Sequence, residues 1–376
     1  MIYLDHAATT QISTEAIETW VKASENYFSN ANSLHEAGEQ ASQLLITCRK
    51  KLSSLVGTSE ENIFFTSGGS EANFIALNSL YLAHKHLGNH VITTAIEHPT
   101  VHSFFQQLEK QGVEVTYLPV NKFGLVSLED IKNATRKDTF LASIQHVNSE
   151  IGTIQPLKQF GSWFQQNNIV FHSDCVQSFG KISIDITEFR VDAISVSSHK
   201  IHGPKGVGAV LLRENVTWSS VYPLTSHQHG FRPGTLNTPG IAAFTHAAID
   251  MHDELAEKRI RAWQLRNTFI NQLRPLGDRL KLEGHPDQSN QLPWILGLGI
   301  HGVQGQYMLL TLDRFHICIS TGSACQSEEL DGSAAMNAIY STEQERLRFF
   351  RISFGKNTTE EELTYVAKKI IEVSNE

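Results

Sequence analysis

Short apolar segments alternate with helix-forming stretches along most of this 376-residue chain. Such alternation favours an α/β fold with a mainly parallel sheet, because parallel strands need crossover connections between them. The predicted strands cover residues 63–65, 90–94, 113–118, 139–144, 169–173, 192–196 and 207–212. Apolar residues at helical spacing predict a helix over residues 35–56, and residues 70–87 form a second predicted helix.

The C-terminal part of the chain has a different pattern. One long helix is expected from about Thr238 through the charged stretch at 250–266. Beyond it the predicted elements are strands near residues 294–299, 316–320 and 347–353 and a last helix from Thr359, typical of a smaller α+β unit. We therefore predict a large domain over residues 15–245 and a small domain formed by residues 1–14 and 246–376.

Composition excludes several classes of protein. Hydrophobic residues make up 40% and charged residues 19% of the chain, as in globular enzymes with a large core. The net charge of -8 and the lack of a basic run argue against a nucleic-acid-binding protein. The most apolar window, residues 292–300, is too short to cross a membrane. No basic segment followed by an apolar stretch begins the chain, so a cytoplasmic location is expected.

Cysteine and histidine spacing gives no sign of a disulfide framework or a metal site. The four cysteines lack CxxC spacing, which predicts free thiols in a reducing compartment. The closely spaced histidines are not joined to a cysteine or carboxylate cluster at a recognised ligand spacing, so we expect no metal; they are His84 with His86, His199 with His202, and His227 with His229.

The first candidate site is the sequence TSGGSEAN at residues 66–73, which follows a predicted strand and opens a helix. Glycines let a backbone approach an anion, and a helix N-terminus presents unpaired N–H groups to it. Ser70 could add a hydroxyl donor. From this motif alone, a plain turn with a serine cap is an equally good interpretation.

The second candidate site combines the sequence SSHK at residues 197–200 with Asp174, since each follows or ends a predicted strand. Taken singly, the lysine would usually be a surface residue and the aspartate a cap or turn residue. At the carboxyl edge of one sheet they could converge. Pyridoxal phosphate needs such a pair: Lys200 for a Schiff base and Asp174 to keep the pyridine nitrogen protonated.

The third candidate site is the sequence STGSACQS at residues 320–327, a loop of small residues around Cys325. Small residues allow motion, and exposure suits a nucleophilic thiol. An inert loop cysteine is the alternative interpretation of this motif alone.

Together these motifs resemble the class V aminotransferase family of fold-type-I pyridoxal-phosphate enzymes, and within it the cysteine desulfurases of the NifS/IscS type. The resemblance extends over nearly the whole chain and keeps the order of the motifs. They are YLDHAATT (3–10), FTSGGSE (65–71), EH (97–98), HVNSEIG (146–152), DCVQS (174–178), SSHKIHGPKG (197–206), RPGTL (232–236), GSAC (322–325) and RISFG (351–355). Ser70 stands where threonine is common, and Ser198 where glycine is frequent.

The resemblance implies a role for each matching residue. Lys200 would hold pyridoxal phosphate covalently, Asp174 would pair with its ring nitrogen, and His98 would stack on its ring. Asn148 and Gln177 would lie near the ring hydroxyl. The other implied cofactor contacts are Gly69, Ser70, Ser197, His199 and, from a second subunit of a homodimer, Thr235.

The resemblance also implies the reaction. Lys200, His98 and Cys325 would be catalytic, while Arg351 and Asn148 would bind the substrate; a guanidinium fork suits a carboxylate. L-Cysteine would become L-alanine, and its sulfur would pass to Cys325 as a persulfide and then to an acceptor protein. Iron–sulfur cluster assembly and tRNA thiolation are among the pathways that such an acceptor would serve.

Two kinds of alternative function stay open at this point. Another reaction of the same family, selenocysteine cleavage or aminotransfer, would use the same cofactor. An inactive scaffold that binds partners would need neither Lys200 nor Cys325, and the presence of both residues together with Asp174 argues against it.

Overall fold

The structure of the chain is a computed structural model that describes residues 1–322 and 333–375. In chain order the strands are β1 (Ile2–Tyr3), β2 (Ile63–Thr66), β3 (His90–Thr94), β4 (Glu114–Leu118), β5 (Thr139–Ser143), β6 (Val170–Asp174), β7 (Ala193–Ser197), β8 (Gly208–Leu212), β9 (Leu280–Glu283), β10 (Ile295–Ile300), β11 (Ile317–Cys318) and β12 (Phe349–Ser353).

The helices are α1 (Thr14–Asn26), α2 (Glu36–Ser54), α3 (Gly69–His84), α4 (Pro99–Lys110), α5 (Leu128–Ala134), α6 (Leu157–Gln166), α7 (Ile186–Phe189), α8 (Thr238–His252), α9 (Leu255–Gln272), α10 (Gly305–Asp313), α11 (Ala334–Ile339), α12 (Glu343–Leu347) and α13 (Glu360–Ser374). None of the helices in these described ranges is both long enough and apolar enough to span a membrane.

A mostly parallel sheet forms the larger part of the fold. Within residues 1–322 and 333–375 its strands lie in the order β2, β8, β7, β6, β5, β3, β4. Strand β8 runs antiparallel to both of its neighbours, and the other adjacent pairs are parallel. The predicted α/β fold with a mainly parallel sheet is therefore confirmed.

Helices cover both faces of this sheet. Phe64 packs in a core with residues of α3 and α4, whereas its neighbour Phe65 packs in a second core with residues of α2, α6 and α8. Successive residues of a strand point to opposite faces, so these two phenylalanines identify the two covered sides. Burial on both faces explains why the strands inside this sheet are buried along almost their whole length, without the alternation seen when one face meets water.

The second, smaller unit is the predicted α+β arrangement near the C-terminus. Strand β10 lies between β12 and β9 and pairs with both in antiparallel fashion. Side chains of α9, α10 and α13 complete a separate apolar core against it. The division of the chain near residue 245 remains a proposal, and α8 extends across that position.

The prediction of one long helix through residues 250–266 is wrong, because the structure has two helices there. Helix α8 ends at His252 and α9 begins at Leu255. Between them Glu254 has a φ of 54°, in the left-handed region that interrupts a helix. The Lys258 ammonium donates a hydrogen bond of 2.7 Å to the carbonyl of Asp253 and so binds the backbone at the break.

The N-terminal segment, residues 2–10, connects the two units. The Leu4 N–H donates to the carbonyl of Cys318 at 2.9 Å, and the Leu4 carbonyl accepts from the Ser353 N–H at 2.8 Å. Further along, the Thr10 N–H donates to the carbonyl of His199 at 2.8 Å. One short segment is thus hydrogen-bonded to the small unit and to the loop that follows β7.

Helix α10 offers a matched test of the small core. Leu312 is fully buried, whereas Leu310 on the same helix is 58% exposed. Leu312→Ala should lower the free energy of unfolding by about 2–5 kcal/mol, because it leaves a cavity among packed side chains. Leu310→Ala should change it by less than about 0.5 kcal/mol. Denaturant unfolding of both variants measures this, and equal losses would contradict the packing described.

Candidate active site

The polar residues predicted from the motifs meet at one edge of the large sheet. Strands β5, β6 and β7 are parallel, so their carboxyl ends share an edge. Asp174 is the last residue of β6, and Ser197 is the last residue of β7. Lys200 follows in a short helical turn over Ser198–Lys200. The fold thus brings Asp174 and the lysine loop to adjacent strand ends.

Beside these strand ends, the first turn of α3 forms a cradle with the features of an anion site. Gly68 has a φ of 155°, a conformation that L-residues rarely adopt. A Cβ at Gly69 would lie 2.8 Å from Val176 Cγ2 and 3.3 Å from Ser197 Cβ. The hydroxyl of Ser197 is buried and has no hydrogen-bond partner among the described residues. Ser70, in the same first turn, is exposed.

Ser198, which stands where glycine is frequent in the family, is accommodated by a glycine elsewhere. The Ser198 side chain is fully buried. A Cβ at Gly203 would lie only 2.1 Å from Ser198 Oγ, so Gly203 leaves the room that this hydroxyl occupies. The lysine loop therefore keeps a compact turn despite the larger residue.

Asp174 is linked to His98 by a chain of hydrogen bonds. The Asn73 amide donates to Asp174 Oδ2 at 2.7 Å and to Thr100 Oγ1 at 3.2 Å. His98 caps α4, and its Nδ1 accepts from the Thr100 N–H at 3.2 Å. An accepting Nδ1 leaves the proton of a neutral ring on Nε2. Burial lowers the pKa of His98 and Lys200 adds to the effect, while Asp174 opposes it.

Lys200 is held by the backbone of the N-terminal segment. Its ammonium donates hydrogen bonds of 2.6 Å to the carbonyl of Ala7 and 2.7 Å to the carbonyl of Ala8. The preceding residue, His199, is near Thr9, with 3.1 Å between Nδ1 and the hydroxyl oxygen. Burial, together with the charge of Lys200, lowers the pKa of His199 to about 4.

Gln177 and Asn148 are both buried at this edge but are bonded differently. The Gln177 amide donates to the carbonyl of Ala7 at 2.9 Å, which places it beside Lys200. The Asn148 carbonyl oxygen accepts from the backbone N–H groups of Glu150 and Ile151 at 2.9 and 3.0 Å. Asn148 therefore shapes its own turn, and its amide nitrogen is 3.4 Å from the carbonyl of Ile96.

Arg351, on β12, extends from the small unit to the N-terminal segment. Its guanidinium is almost fully buried and is 2.6 Å from Asp5 Oδ1. A second nitrogen donates to the carbonyl of Ser149 at 2.8 Å, and the Nε has no hydrogen-bond partner among the described residues. The electrostatic field of Arg351 reaches Lys181, which packs beside Gln177.

One predicted residue, Thr235, is not brought to this site, and another, Cys325, is not among the residues that the structure describes. Thr235 is exposed on the loop between β8 and α8. Arg232, on the same loop, forms an ion pair with Glu71 of α3 at 3.1 Å, so the loop is tied to the anion cradle. Cys325 lies outside the described residues.

Several residues at the site were missed by the sequence motifs or quoted without a role. They are Asp5, Ala7, Ala8, Asn73, Glu97, Thr100 and Lys181. The alanines act through backbone carbonyls, which no residue type reveals. Lys181 follows the DCVQS motif closely, and a lysine within an otherwise apolar turn was the available signal.

Residues 2–366 match the family described as aminotransferase class-V. The chain belongs to this family. It is 46% identical over 363 residues to a Bacillus subtilis protein provisionally named cysteine desulfurase NifS, covering 96% of this chain and 92% of that one. It is 37% identical over 365 residues to cysteine desulfurase IscS of Clostridium botulinum, covering 97% and 92%.

Solved structures agree with this assignment. A NifS-like protein superposes with a TM-score of 0.91 at 31% identity, covering 99% of this chain and 98% of that chain. A structure described as SspA in complex with cysteine gives a TM-score of 0.79 at 30% identity, covering 94% and 99%. The resemblance to NifS/IscS-type proteins and to the fold-type-I architecture is confirmed.

Class V enzymes of this type depend on pyridoxal phosphate, and the residues present fit that group. The unpartnered Ser197 hydroxyl, the cradle at Gly69 and the N-terminus of α3 together suit a phosphate. The Asp174 carboxylate suits a protonated ring nitrogen, and the Lys200 amine suits its aldehyde. The cofactor prediction is therefore confirmed.

Glu97 has an unusual charge state for this site. Its Oε1 accepts from the Thr94 hydroxyl at 2.7 Å and the Gln145 N–H at 2.9 Å, and its Oε2 has no partner among the described residues. Burial raises the pKa of Glu97 to about 8, and the charge of Asp174 adds to the increase. Glu97 is thus mostly protonated at neutral pH, which avoids a second negative charge near Asp174.

This charge state predicts a pH dependence of stability. Between the ordinary glutamate pKa of 4.5 and about 8, folded Glu97 keeps a proton that the unfolded chain has lost. The free energy of unfolding should therefore fall as pH rises through this window. Glu97→Gln should remove the contribution of this residue to the decrease in the free energy of unfolding. Denaturant unfolding of cofactor-free protein at pH 5, 7 and 9 measures it, with exposed Glu61→Gln as the control. Identical pH slopes for Glu97→Gln and wild type would contradict the assignment.

Proposed function

We propose that this chain is a cysteine desulfurase that converts L-cysteine to L-alanine and passes the sulfur to Cys325. The observation that carries the proposal is the meeting of Lys200 and Asp174 at adjacent strand ends, next to the anion cradle formed by Gly69 and Ser197. The names of the relatives support desulfuration over the other reactions of the family.

Each side chain of the site has a proposed task. Lys200 holds pyridoxal phosphate, and its amine moves the proton of the substrate α-carbon. When bound, the cofactor supplies a ring that withdraws electrons from that carbon. Asp174 keeps the ring nitrogen protonated, and Asn73 holds the carboxylate in place at 2.7 Å. His98, a buried neutral ring, stacks on the cofactor, and Asn148 and Gln177 lie near its hydroxyl.

The remaining residues bind the phosphate of the cofactor and the carboxylate of the substrate. Gly69, Ser70, Ser197 and His199 surround the phosphate, joined by Thr235 of a second copy of this chain. Arg351 holds the substrate carboxylate; in the present structure its guanidinium binds Asp5, another carboxylate. That pairing supports the proposed role, since a guanidinium fork binds carboxylates well.

Sulfur transfer requires a thiolate, which we assign to Cys325. Its sulfur attacks the sulfur of the substrate, a bond between the two sulfurs forms, and the bond from Cβ to sulfur breaks. The carbon takes up a proton, so that cysteine and one thiol give alanine and one persulfide. A protein thiol acceptor would then remove the outer sulfur, as iron–sulfur cluster assembly and tRNA thiolation would require.

The alternatives differ in what they need. An aminotransferase needs a keto acid and no thiol, so alanine formation from cysteine alone separates the two reactions. Selenocysteine cleavage is distinguished by the preferred substrate. A scaffold without activity would not need the Lys200–Asp174 arrangement. We further propose a cytoplasmic homodimer, supported by the exposed position of Thr235, where a second copy could use it.

The first test concerns the cofactor. The purified protein should be yellow, and borohydride should fix the cofactor on Lys200. Lys200→Ala should abolish turnover, although some cofactor could still bind through the anion cradle. Mass spectrometry of the reduced protein identifies the labelled lysine. A label on another lysine would overturn the assignment of Lys200.

The second test concerns the thiol. Cys325→Ser should keep the yellow colour but lose persulfide formation, because a hydroxyl is a far poorer nucleophile toward sulfur than a thiolate. Cys175→Ala is the matched control. Cys175 is fully buried, and burial raises the pKa of its thiol to about 12, so it stays protonated. This variant should keep most alanine production and lose at most about 1–2 kcal/mol of stability.

Peptide mapping of the persulfide after one turnover identifies the cysteine that carries the sulfur. Alanine release is measured in parallel. Persulfide on Cys175, or undiminished turnover in Cys325→Ser, would refute the proposed sulfur path. Neither result would affect the assignment of the cofactor to Lys200.

A further inference from the structure

Lys181 is a buried lysine that no step of the proposed reaction uses. It is only 6% exposed and lies in the helical turn that follows β6. The Phe179 N–H donates to the Cys175 carbonyl at 2.9 Å and the Ile182 N–H to the Ser178 carbonyl at 3.0 Å, which gives the turn helical spacing. Gly180 has a φ of 72°, so the segment is a turn and not a continuous helix, and Lys181 meets Gln177 across it.

Lys181 lies at one end of a hydrogen-bond chain that ends at Lys200. The Lys181 amine donates to Gln177 Oε1 at 3.2 Å, and Gln177 Nε2 donates to the Ala7 carbonyl at 2.9 Å. That carbonyl also accepts from the Lys200 ammonium at 2.6 Å. The Ala7 carbonyl can only accept, so it fixes which way the Gln177 amide faces, and the Lys181 amine is placed to donate to the amide oxygen.

The surroundings of Lys181 do not explain it as a structural ion-pair partner. Among the described residues, no carboxylate lies within 4 Å of its amine. Burial, and then the charges of Lys200 and Arg351, lower the pKa of Lys181 to about 7. The other titratable groups nearby are His6, His199 and His202.

A cavity of about 430 Å³ joins the two lysines. Lys181 and Lys200 both line it. The charged residues on its remaining walls are Glu254, Glu257, Lys258, Arg261 and Lys356. Of these, Lys356 is paired with Asp250 at 3.0 Å, and Lys258 donates to backbone carbonyls. Lys181 thus lies on the same continuous surface as the reactive amine.

We propose that Lys181 is a positioning residue: its hydrogen bond holds the Gln177 amide against the Ala7 carbonyl, and this shared carbonyl sets how firmly the nitrogen of Lys200 keeps its proton. The inference rests on the proposed attachment of pyridoxal phosphate to Lys200. It adds a residue that acts on Lys200 through Gln177.

The expected effect has a definite direction. A carbonyl that accepts two hydrogen bonds is a weaker acceptor for each donor. When Lys181 is lost, Gln177 is no longer fixed, and the Ala7 carbonyl is left to the Lys200 N–H. A proton on the Lys200 nitrogen is then favoured, so its pKa rises. The amine of Lys181 loses its proton near pH 7, so above that pH its charge has little effect on the pKa of Lys200. The hydrogen bond to Gln177 remains, because a neutral amine still carries N–H donors.

The test is the pH dependence of the rate at which added pyridoxal phosphate forms its visible band with the cofactor-free full-length protein, because that rate follows the unprotonated fraction of the Lys200 amine. Lys181→Met and Gln177→Met should each raise the pH midpoint of this rate by about 0.5–1 unit, the size of one lost hydrogen bond. In the double variant, Lys181→Met should add less than about 0.3 unit to the shift of Gln177→Met. Lys181→Arg keeps a donor and adds a permanent positive charge, so its midpoint should not rise above that of the wild type. Exposed Lys158→Met is the control and should not move it.

The outcomes separate the inference from the proposed function. A Lys181→Met midpoint within about 0.2 unit of wild type, or fully additive shifts in the double variant, would overturn the positioning role. The same conclusion would follow if Lys181→Arg raised the midpoint as far as Lys181→Met. A wild-type protein without the visible band would overturn the proposed function, and this inference with it.

Discussion

The common direction of β5, β6 and β7 is the constraint on which the site depends. Parallel strands end at the same edge, and that edge is where backbone groups and polar side chains are free to face a ligand. The fold must bury the apolar strands on both faces, and doing so places Asp174 and Ser197 at adjacent strand ends. The chemistry at the edge is therefore supported by the two large cores beneath it.

The charges at this edge are arranged for an anionic ligand. Lys181, Lys200 and Arg351 lie close enough to influence one another, and the N-terminus of α3 adds a positive end of a helix dipole. Burial keeps His199 neutral, so it does not add a further cation. Glu97, protonated at neutral pH, does not add a charge that would compete with Asp174. Asp5, which pairs with Arg351, and Asp174, which ends β6, are the carboxylates that offset these positive charges.

The sequence predicted the parts of the fold that depend on local pattern. Strand β3 occupies the predicted residues 90–94, and α3 begins one residue before the predicted start at Ser70. The break at Glu254 could not be predicted, because neither glycine nor proline marks it and charged residues continue on both sides. The short strand β1 depends on a partner more than 300 residues away, which no local pattern contains.

The residues of the site also divide into those that the sequence identifies and those that only the tertiary structure reveals. Lys200 and Asp174 were predictable because side-chain chemistry identifies them, whereas Ala7 and Ala8 contribute only carbonyls. Cys325 remains a prediction, since it lies outside the described residues. The pairing of Arg351 with Asp5 joins motifs at opposite ends of the chain, and only the tertiary structure brings them together.

The N-terminal segment has a consequence for how the two halves of the site are spaced. Asp5 binds the arginine of the small unit, and two residues later Ala7 binds the lysine of the large sheet. These two contacts are made by the same short segment, and its covalent length sets an upper limit on their separation. The segment therefore limits how far one unit can move away from the other while both contacts, Asp5 with Arg351 and Ala7 with Lys200, are kept.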